Sequence, residues 1–281
     1  MNIIKKVFLS LIVVTLFGCD SRLVIFNPTG QIGIEEKLII VTAIKLMSII
    51  VIPVIIMTLF FVIKYRSSNT TALYKPEWCK SKIIELFIWV IPFIIVLILS
   101  NITINSAKKL DPSRSIIISD VQPIKINVIS LNWKWLFIYP DFKIASINEI
   151  YIPVNVPIIF NVTSDSVMNS FFIPQLGSQI YAMNNMCSRL NLIANKIGIY
   201  KGISSNFSGS GFSGMKFNIF VVNNNKFNLW INKVKSYKTK LTSFLDYKKL
   251  SLPSKFDSVK YFSKVDNKIF YYIINKNNLD K

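Results

Sequence analysis

The stretch Ile124-Lys125-Ile126-Asn127-Val128-Ile129-Ser130-Leu131-Asn132-Trp133-Lys134-Trp135-Leu136-Phe137-Ile138-Tyr139-Pro140 is where long apolar runs give way to a shorter period. Ile124, Ile126 and Val128 alternate with polar neighbours, and Trp133 and Trp135 keep the period of two that places side chains on one face of a strand. Downstream, residues 149–152, 158–163, 189–194 and 215–222 read the same way. Pro123, Pro140, Pro153, Pro157, Pro174 and the glycines between 198 and 214 punctuate them. Many short strands with turn signals predict an antiparallel β-sandwich over residues 105–225.

Upstream the pattern is different in kind. Residues 38–63 and 83–104 are apolar runs of 26 and 22 residues, each long enough to cross a hydrocarbon core of roughly 30 Å. They predict a transmembrane hairpin over 38–104. Lys45 interrupts the first run at a depth from which it can snorkel, and Pro53 and Pro92 predict kinks. The connecting loop 64–82 holds Lys64, Arg66, Lys75, Lys80 and Lys82 against Glu77, whereas residues 19–37 have two basic and three acidic side chains. By the positive-inside rule the loop is cytoplasmic and both flanks lie outside.

The N-terminus agrees. Lys5-Lys6 precedes an apolar core from Val7 to Phe17, too short to span a bilayer, which ends at Leu16-Phe17-Gly18-Cys19. This reads as a lipoprotein signal over residues 1–18, with the Cys19 thiol as the lipid-attachment site, an exported segment 19–37 and retention in the bacterial inner membrane.

Composition removes several classes of function. The net charge of +19 is spread along the chain, with fifteen lysines and no arginine after residue 200, and no compact basic stripe or recognition motif accompanies it. Nucleic-acid binding is therefore not expected. The three cysteines, Cys19, Cys79 and Cys187, form no metal-binding pair, and Cys79 and Cys187 fall on opposite sides of the expected membrane, so no structural disulfide follows. The chain has no histidine at all, which excludes the usual zinc, haem and copper ligation within it. From Lys226 onward Phe227, Trp230, Ile231 and Val234 fall at helical spacing, and residues 244–250 and 259–274 predict further helices broken at Pro253. Residues 226–281 thus read as a basic, α-rich arm that frays after 275.

Four strings are more specific than these periodicities: Asn132 to Pro140 above, Met168-Asn169-Ser170-Phe171-Phe172-Ile173-Pro174, Leu176-Gly177-Ser178-Gln179-Ile180-Tyr181-Ala182-Met183, and Gly209-Ser210-Gly211-Phe212-Ser213-Gly214-Met215-Lys216-Phe217. With Gly30-Gln31-Ile32-Gly33 ahead of the first apolar run, they closely resemble subunit II of the cytochrome bo-type ubiquinol oxidases, in the haem–copper oxidase superfamily. The resemblance covers nearly the whole chain after residue 19. It implies a cupredoxin-like sandwich, the fold that in cytochrome c oxidases holds a two-copper electron-entry site. At the ligand positions of that site this chain has Asn169, Ser204, Asn206, Ser208 and Phe212, and only Met215 keeps its type. One thioether cannot hold a copper pair. The resemblance therefore implies a vacated site, no cofactor in this chain, and haem and copper in subunit I of a complex that also contains smaller membrane subunits.

Two readings stay open at each of three places. Residues 204–214 are either a flexible Gly/Ser loop or a loop that keeps its shape without its ligands. Trp133 and Trp135 either serve electron entry, as the resemblance implies for the copper-bearing relatives, or serve buried packing or subunit contact. Glu85, in the first turn of the second helix after Ser81, is either a dipole-stabilised carboxylate worth roughly 0.3–1 kcal/mol or, by the resemblance, a residue at the mouth of a proton channel in subunit I. For the whole chain, the alternative to an oxidase subunit is a free-standing envelope lipoprotein whose sandwich binds a ligand or partner.

Overall fold

The computed structural model describes residues 23–73, 77–119 and 121–279. The expected signal segment 1–18 and Cys19 lie outside the described residues, as does Lys75 of the connecting loop. The chain divides into two compact units, one running from Glu36 to Asp111 and the other combining the residues up to Glu35 with those from Pro112 onward.

In the first unit, helix α1 (Gln31–Lys64, which starts just ahead of the unit) and helix α2 (Lys82–Lys109) contain Pro53 and Pro92 and are both long and apolar enough to cross a membrane. Their apolar side chains are exposed around nearly the whole circumference, as lipid or neighbouring helices would require. Polar side chains within them are satisfied locally. Thr42, Ser48, Thr58 and Thr103 each donate to the carbonyl four residues earlier, at 2.7–2.8 Å. Both helices outrun their apolar cores, and α2 continues through Asn101 to Lys109 until Asp111-Pro112 disfavours another helical turn. Ser81 precedes α2 in an extended conformation, but its hydroxyl makes no cap bond; its carbonyl accepts from the Glu85 N–H at 3.0 Å.

The second unit is a two-sheet sandwich. Its strands are β1 (Ile124–Leu131), β2 (Lys134–Tyr139), β3 (Ile144–Ile147), β4 (Glu149–Pro153), β5 (Pro157–Ser164), β6 (Asn169–Phe172), β7 (Ile180–Ala182), β8 (Ser188–Ile193), β9 (Gly198–Ser204), β10 (Lys216–Val222) and β11 (Lys260–Phe262). One sheet has the order β11-β3-β2-β1-β5-β8 and the other β4-β10-β9-β6-β7. The sandwich stands as the sequence predicts, with one difference: two ladders are parallel, β1 with β5 and β4 with β10. The chain leaves the first sheet after β3, forms β4 in the opposite sheet and returns as β5 beside β1, entering from the same end. Alternation of side chains is the same in parallel and antiparallel ladders, so it cannot reveal this crossover.

Alternate residues of both sheets meet in one core that includes Ile126, Val128, Trp135, Phe137, Phe160, Phe171, Phe217 and Ile219. Phe171 and Phe217 stack at 5.2 Å, with the Trp135 ring edge-on to both. The other faces of β1–β3 are buried as well. Ile129, Leu131, Leu136, Ile138 and Ile147 pack under helices α4 (Phe244–Ser251) and α5 (Lys268–Leu279) through Tyr247, Ile269, Phe270 and Ile273. That two-sided burial explains why Trp135 to Tyr139 is apolar without interruption.

The C-terminal arm is therefore half of a second core. Helix α3 (Asn224–Lys235) even joins the main core through Phe227, Trp230, Ile231 and Val234. Two expectations for the arm need correction. Residues 260–262 form β11 instead of helix, because the open edge of β3 recruits them, Tyr261 opposite Ser146. Helix also persists through residues 275–279, where fraying was expected. Ahead of α1, the string Gly30–Gly33 is stitched to the sandwich: the Thr29 and Gly30 N–H groups donate to Gln175 O, Gly33 N–H donates to Leu176 O, and Gly30 bridges Ala194. A Cβ on Gly30 would lie 2.5 Å from Leu176 O, so only glycine fits.

Candidate functional site

Strands β6 and β9 end beside each other, and the loop from Ser205 to Met215 folds back over them before β10. Ser204 is the last residue of β9, which corrects its assignment to a loop; β9 pairs with β6 and β10, so Gly198 and Gly202 are strand residues. Gly202 lies flat against the Phe217 ring, whose Cζ would be 2.0 Å from an added Cβ.

The six positions Asn169, Ser204, Asn206, Ser208, Phe212 and Met215 come together here. Asn169 is fully buried, Ser204 is nearly so, and the Ser204 hydroxyl donates to Asn169 Oδ1 at 3.0 Å. Asn169 Nδ2 donates to Val167 O (3.0 Å), and Asn206 Nδ2 donates to Met168 O (2.9 Å). Ser208 Oγ lies 4.0 Å from Met215 Sδ. Beside them the Ser205 hydroxyl donates to Ser170 Oγ at 2.9 Å. Phe212 sits in a 3-10 turn, Phe212–Gly214, with its ring 5.6 Å from Phe207. The donor set is hydroxyls and amides with a single thioether; Ser204 and Asn169 bond each other, and Asn206 is spent on a main-chain carbonyl. Such a set does not fit a copper pair, which calls for thiolate and imidazole. Among the described residues no three His, Cys, Asp or Glu side chains gather as a metal site.

Trp133 decides between the open readings of this loop. It occupies the two-residue turn between β1 and β2 at φ +64°, outside the strand that its spacing suggested. Its Nε1–H donates to Ser208 O at 2.9 Å, and its ring covers Gly209 and Gly211 so closely that a Cβ on Gly211 would lie 2.4 Å from Trp133 Cγ. Gly209 has φ +106°, a conformation that favours glycine. The loop is thus packed in place. Trp135, two residues on, is wholly buried in the core. The two tryptophans have different roles that spacing alone could not separate.

Sequence reasoning missed what else packs around Trp133 and the loop. Lys255 Nζ lies 5.7 Å above its ring, and the Phe256 ring lies against Gly214. This strap, residues 252–257, is tied down by Lys134. Its side chain is only 5% exposed, and Lys134 Nζ donates to Leu252 O at 3.0 Å and to Ser254 Oγ and pairs with Asp257 at 3.5 Å. Burial pushes the Lys134 ammonium below the usual lysine range, against the pull of Asp257. Burial alone would raise Asp257, but the Ser254 hydroxyl, Lys134 and Lys260 outweigh it and hold its carboxyl below the usual carboxylate range. Two further carboxylates anchor the arm: Asp165 accepts from Tyr247 Oη (2.6 Å) and Lys276 Nζ (2.8 Å), and Glu149 accepts from Tyr261 Oη. A lysine between Trp133 and Trp135, at the start of an aromatic strand, was the visible signal for this anchoring.

Glu85 is in the first turn of α2. With Trp78, Cys79, Lys80, Ser81, Ile84 and Ile88 it lines an open hollow of about 420 Å³. Glu85 belongs to the first unit and the six residues above to the second.

Residues 141–222 match the family described as cytochrome c oxidase subunit II, periplasmic domain, and residues 238–279 match the COX aromatic rich motif. Fold and match together define a membrane-anchored protein of the oxidase subunit II class. The chain is 52% identical over 276 residues to cytochrome bo(3) ubiquinol oxidase subunit 2 of Buchnera aphidicola subsp. Schizaphis graminum, covering 98% of this chain and 94% of that one. It is 51% identical over 259 residues to the subunit of the same name from Pseudomonas aeruginosa, covering 92% and 77%. The chain belongs to the cytochrome bo(3) ubiquinol oxidase subunit 2 family. Among solved structures, the periplasmic domain of subunit II of cytochrome oxidase from Bradyrhizobium japonicum aligns with 42% of this chain and 96% of its own at 25% identity, with a TM-score of 0.39.

Proposed function

We propose that this chain is the copper-free subunit II of a terminal ubiquinol oxidase, with quinol oxidation, oxygen reduction and proton pumping carried by haem and copper in subunit I. The observation that carries the copper-free reading is the hydrogen-bonded set Asn169, Ser204, Asn206 and Ser208, in which no thiolate or imidazole stands where a copper pair needs one. The chain contributes a folded exported cover and two helices to a hetero-oligomer with subunit I and smaller membrane subunits. It sits N-out and C-out in the inner membrane, sandwich in the periplasm, with lipid on Cys19. An identity of 52% over an alignment covering 98% of the chain to an oxidase subunit disfavours a free-standing envelope lipoprotein.

Glu85 is the residue proposed to act on protons. It is exposed at the cytoplasmic start of α2 and lines a water-accessible hollow, where a reversibly ionising carboxylate can collect protons. Gentle detergent purification through a tag on this chain tests the assembly: haem and quinol oxidase activity should co-purify, and a haem-free monomer would overturn the reading. In the assembled complex, Glu85→Gln should slow turnover across a pH series without loss of subunits. Unchanged turnover at every pH would leave Glu85 as a helix-terminal carboxylate only.

A further inference from the structure

Outside the two long helices, Leu23-Val24-Ile25 is the sole run of three consecutive exposed large apolar residues among the described residues, at 49%, 41% and 47% exposure. Single exposed apolar side chains need no explanation, but an adjacent trio presents a patch. These residues open a 3-10 turn, Val24–Phe26, closed by Phe26 N–H donating to Leu23 O (2.9 Å) and Asn27 N–H to Val24 O (3.1 Å), so the patch has a defined shape. Five residues after Phe26 the chain enters α1, and Thr29 and Gly30 are fastened to the sandwich.

We infer that Leu23, Val24 and Ile25 form an interfacial contact with membrane lipid, dipping into the headgroup–acyl boundary of the outer leaflet. The inference rests on the lipidation of Cys19 proposed above. A thioether-linked diacylglycerol fixes residue 19 at the bilayer surface, and the four residues to Leu23 reach at most about 14 Å. The patch is thus confined near lipid from one side by the anchor and held in shape by its own turn. The fastening of Thr29 and Gly30 to Gln175, Leu176 and Ala194 makes this contact a fixed point for the sandwich, since it is tied to the same seam.

The test uses the assembled complex in lipid nanodiscs, with Cys79 and Cys187 changed to serine because both thiols are exposed. A thiol-specific nitroxide is placed at Leu23→Cys, and its collisions with dissolved oxygen and with a water-soluble nickel chelate are compared by power-saturation EPR. Ile199→Cys, exposed on β9, serves as the aqueous control. The expected result is a Leu23 label that favours oxygen and reports a depth of about 5–10 Å into the boundary. A label as open to nickel as that at 199 overturns the inference, and so does one shielded from both reagents, which would place a protein partner on the patch. The intact mass of the chain, with labelling of the double-serine background, reports Cys19 separately. An unmodified Cys19 thiol removes the lipidation reading, whichever result the Leu23 label gives.

Discussion

Replacing Asp257 by asparagine removes the carboxylate that faces the Lys134 ammonium while leaving that ammonium where it is. The lysine side chain is 5% exposed and the aspartate 14%. Deleting one partner of a buried pair costs about 3–5 kcal/mol, and Lys134 keeps Leu252 O and Ser254 Oγ as neutral acceptors, so the lower end, about 3 kcal/mol, applies. For a unit of this size that is a fall in Tm of roughly 6–12 °C. Lys134→Met should cost less than half as much, because it removes the buried charge and leaves Asp257 with Ser254 and Lys260 at the wetter end of the pair. The pH dependence carries the sign. Burial already holds Lys134 below its unfolded range, and without Asp257 it falls further. The unfolded state then binds more protons than the folded state, so stability rises with pH between the two values. Thermal unfolding of the purified full chain in detergent, followed by tryptophan fluorescence at pH 7 and pH 10, should show the Asp257→Asn deficit shrinking at the higher pH. An equal or larger loss in Lys134→Met, or a deficit that ignores pH, would refute the reasoning.

Gly202→Ala drives a methyl group into the Phe217 ring, which is held by its stack on Phe171; overpacking of about 1–3 kcal/mol should appear as a lower Tm. Gly211→Ala pushes Trp133 off the loop and breaks its bond to Ser208 O, a loss of about 1 kcal/mol visible as a shifted Trp133 indole N–H resonance with the sheet resonances unchanged. Asp165→Asn removes the charged acceptor for Tyr247 and Lys276, so hydrogen exchange should quicken in α4 and α5 while the β1–β5 ladder keeps its protection. In the unaltered chain Asp257 is held below the usual carboxylate range, so its stabilisation is present above the unfolded value and lost as pH falls through the folded one; acid titration from pH 5 downward should loosen the 252–257 strap.

Much of this was legible in order along the chain. The apolar runs declare α1 and α2 because a membrane span needs only local composition and length. The residue types at Asn169, Ser204, Asn206, Ser208 and Phe212 are legible for the same reason: that none is a thiolate or imidazole is a fact about residue type, whatever the loop does. Glu85 could be placed at a helix start, but its hollow could not. Gly202 read as a turn residue, since the close approach that requires glycine comes from Phe217 fifteen residues later. Trp133 read as a strand residue, since the positive φ that turns it onto Ser208 depends on the hairpin register.

The sequence by itself determined the two apolar helices, the strand-rich unit, the amphipathic α3 and the absence of histidine, because each is written in residue types a few positions apart. Only the tertiary structure decided that two ladders run parallel, that residues 260–262 close the edge of β3, that the arm builds a second core on the outer face of β1–β3, and that Trp133 and the Lys134-anchored strap clasp the loop between β9 and β10. Those contacts join residues about 35 to 130 positions apart. Their free energy lies in burial and pairing between segments that have no influence on each other until the chain has folded.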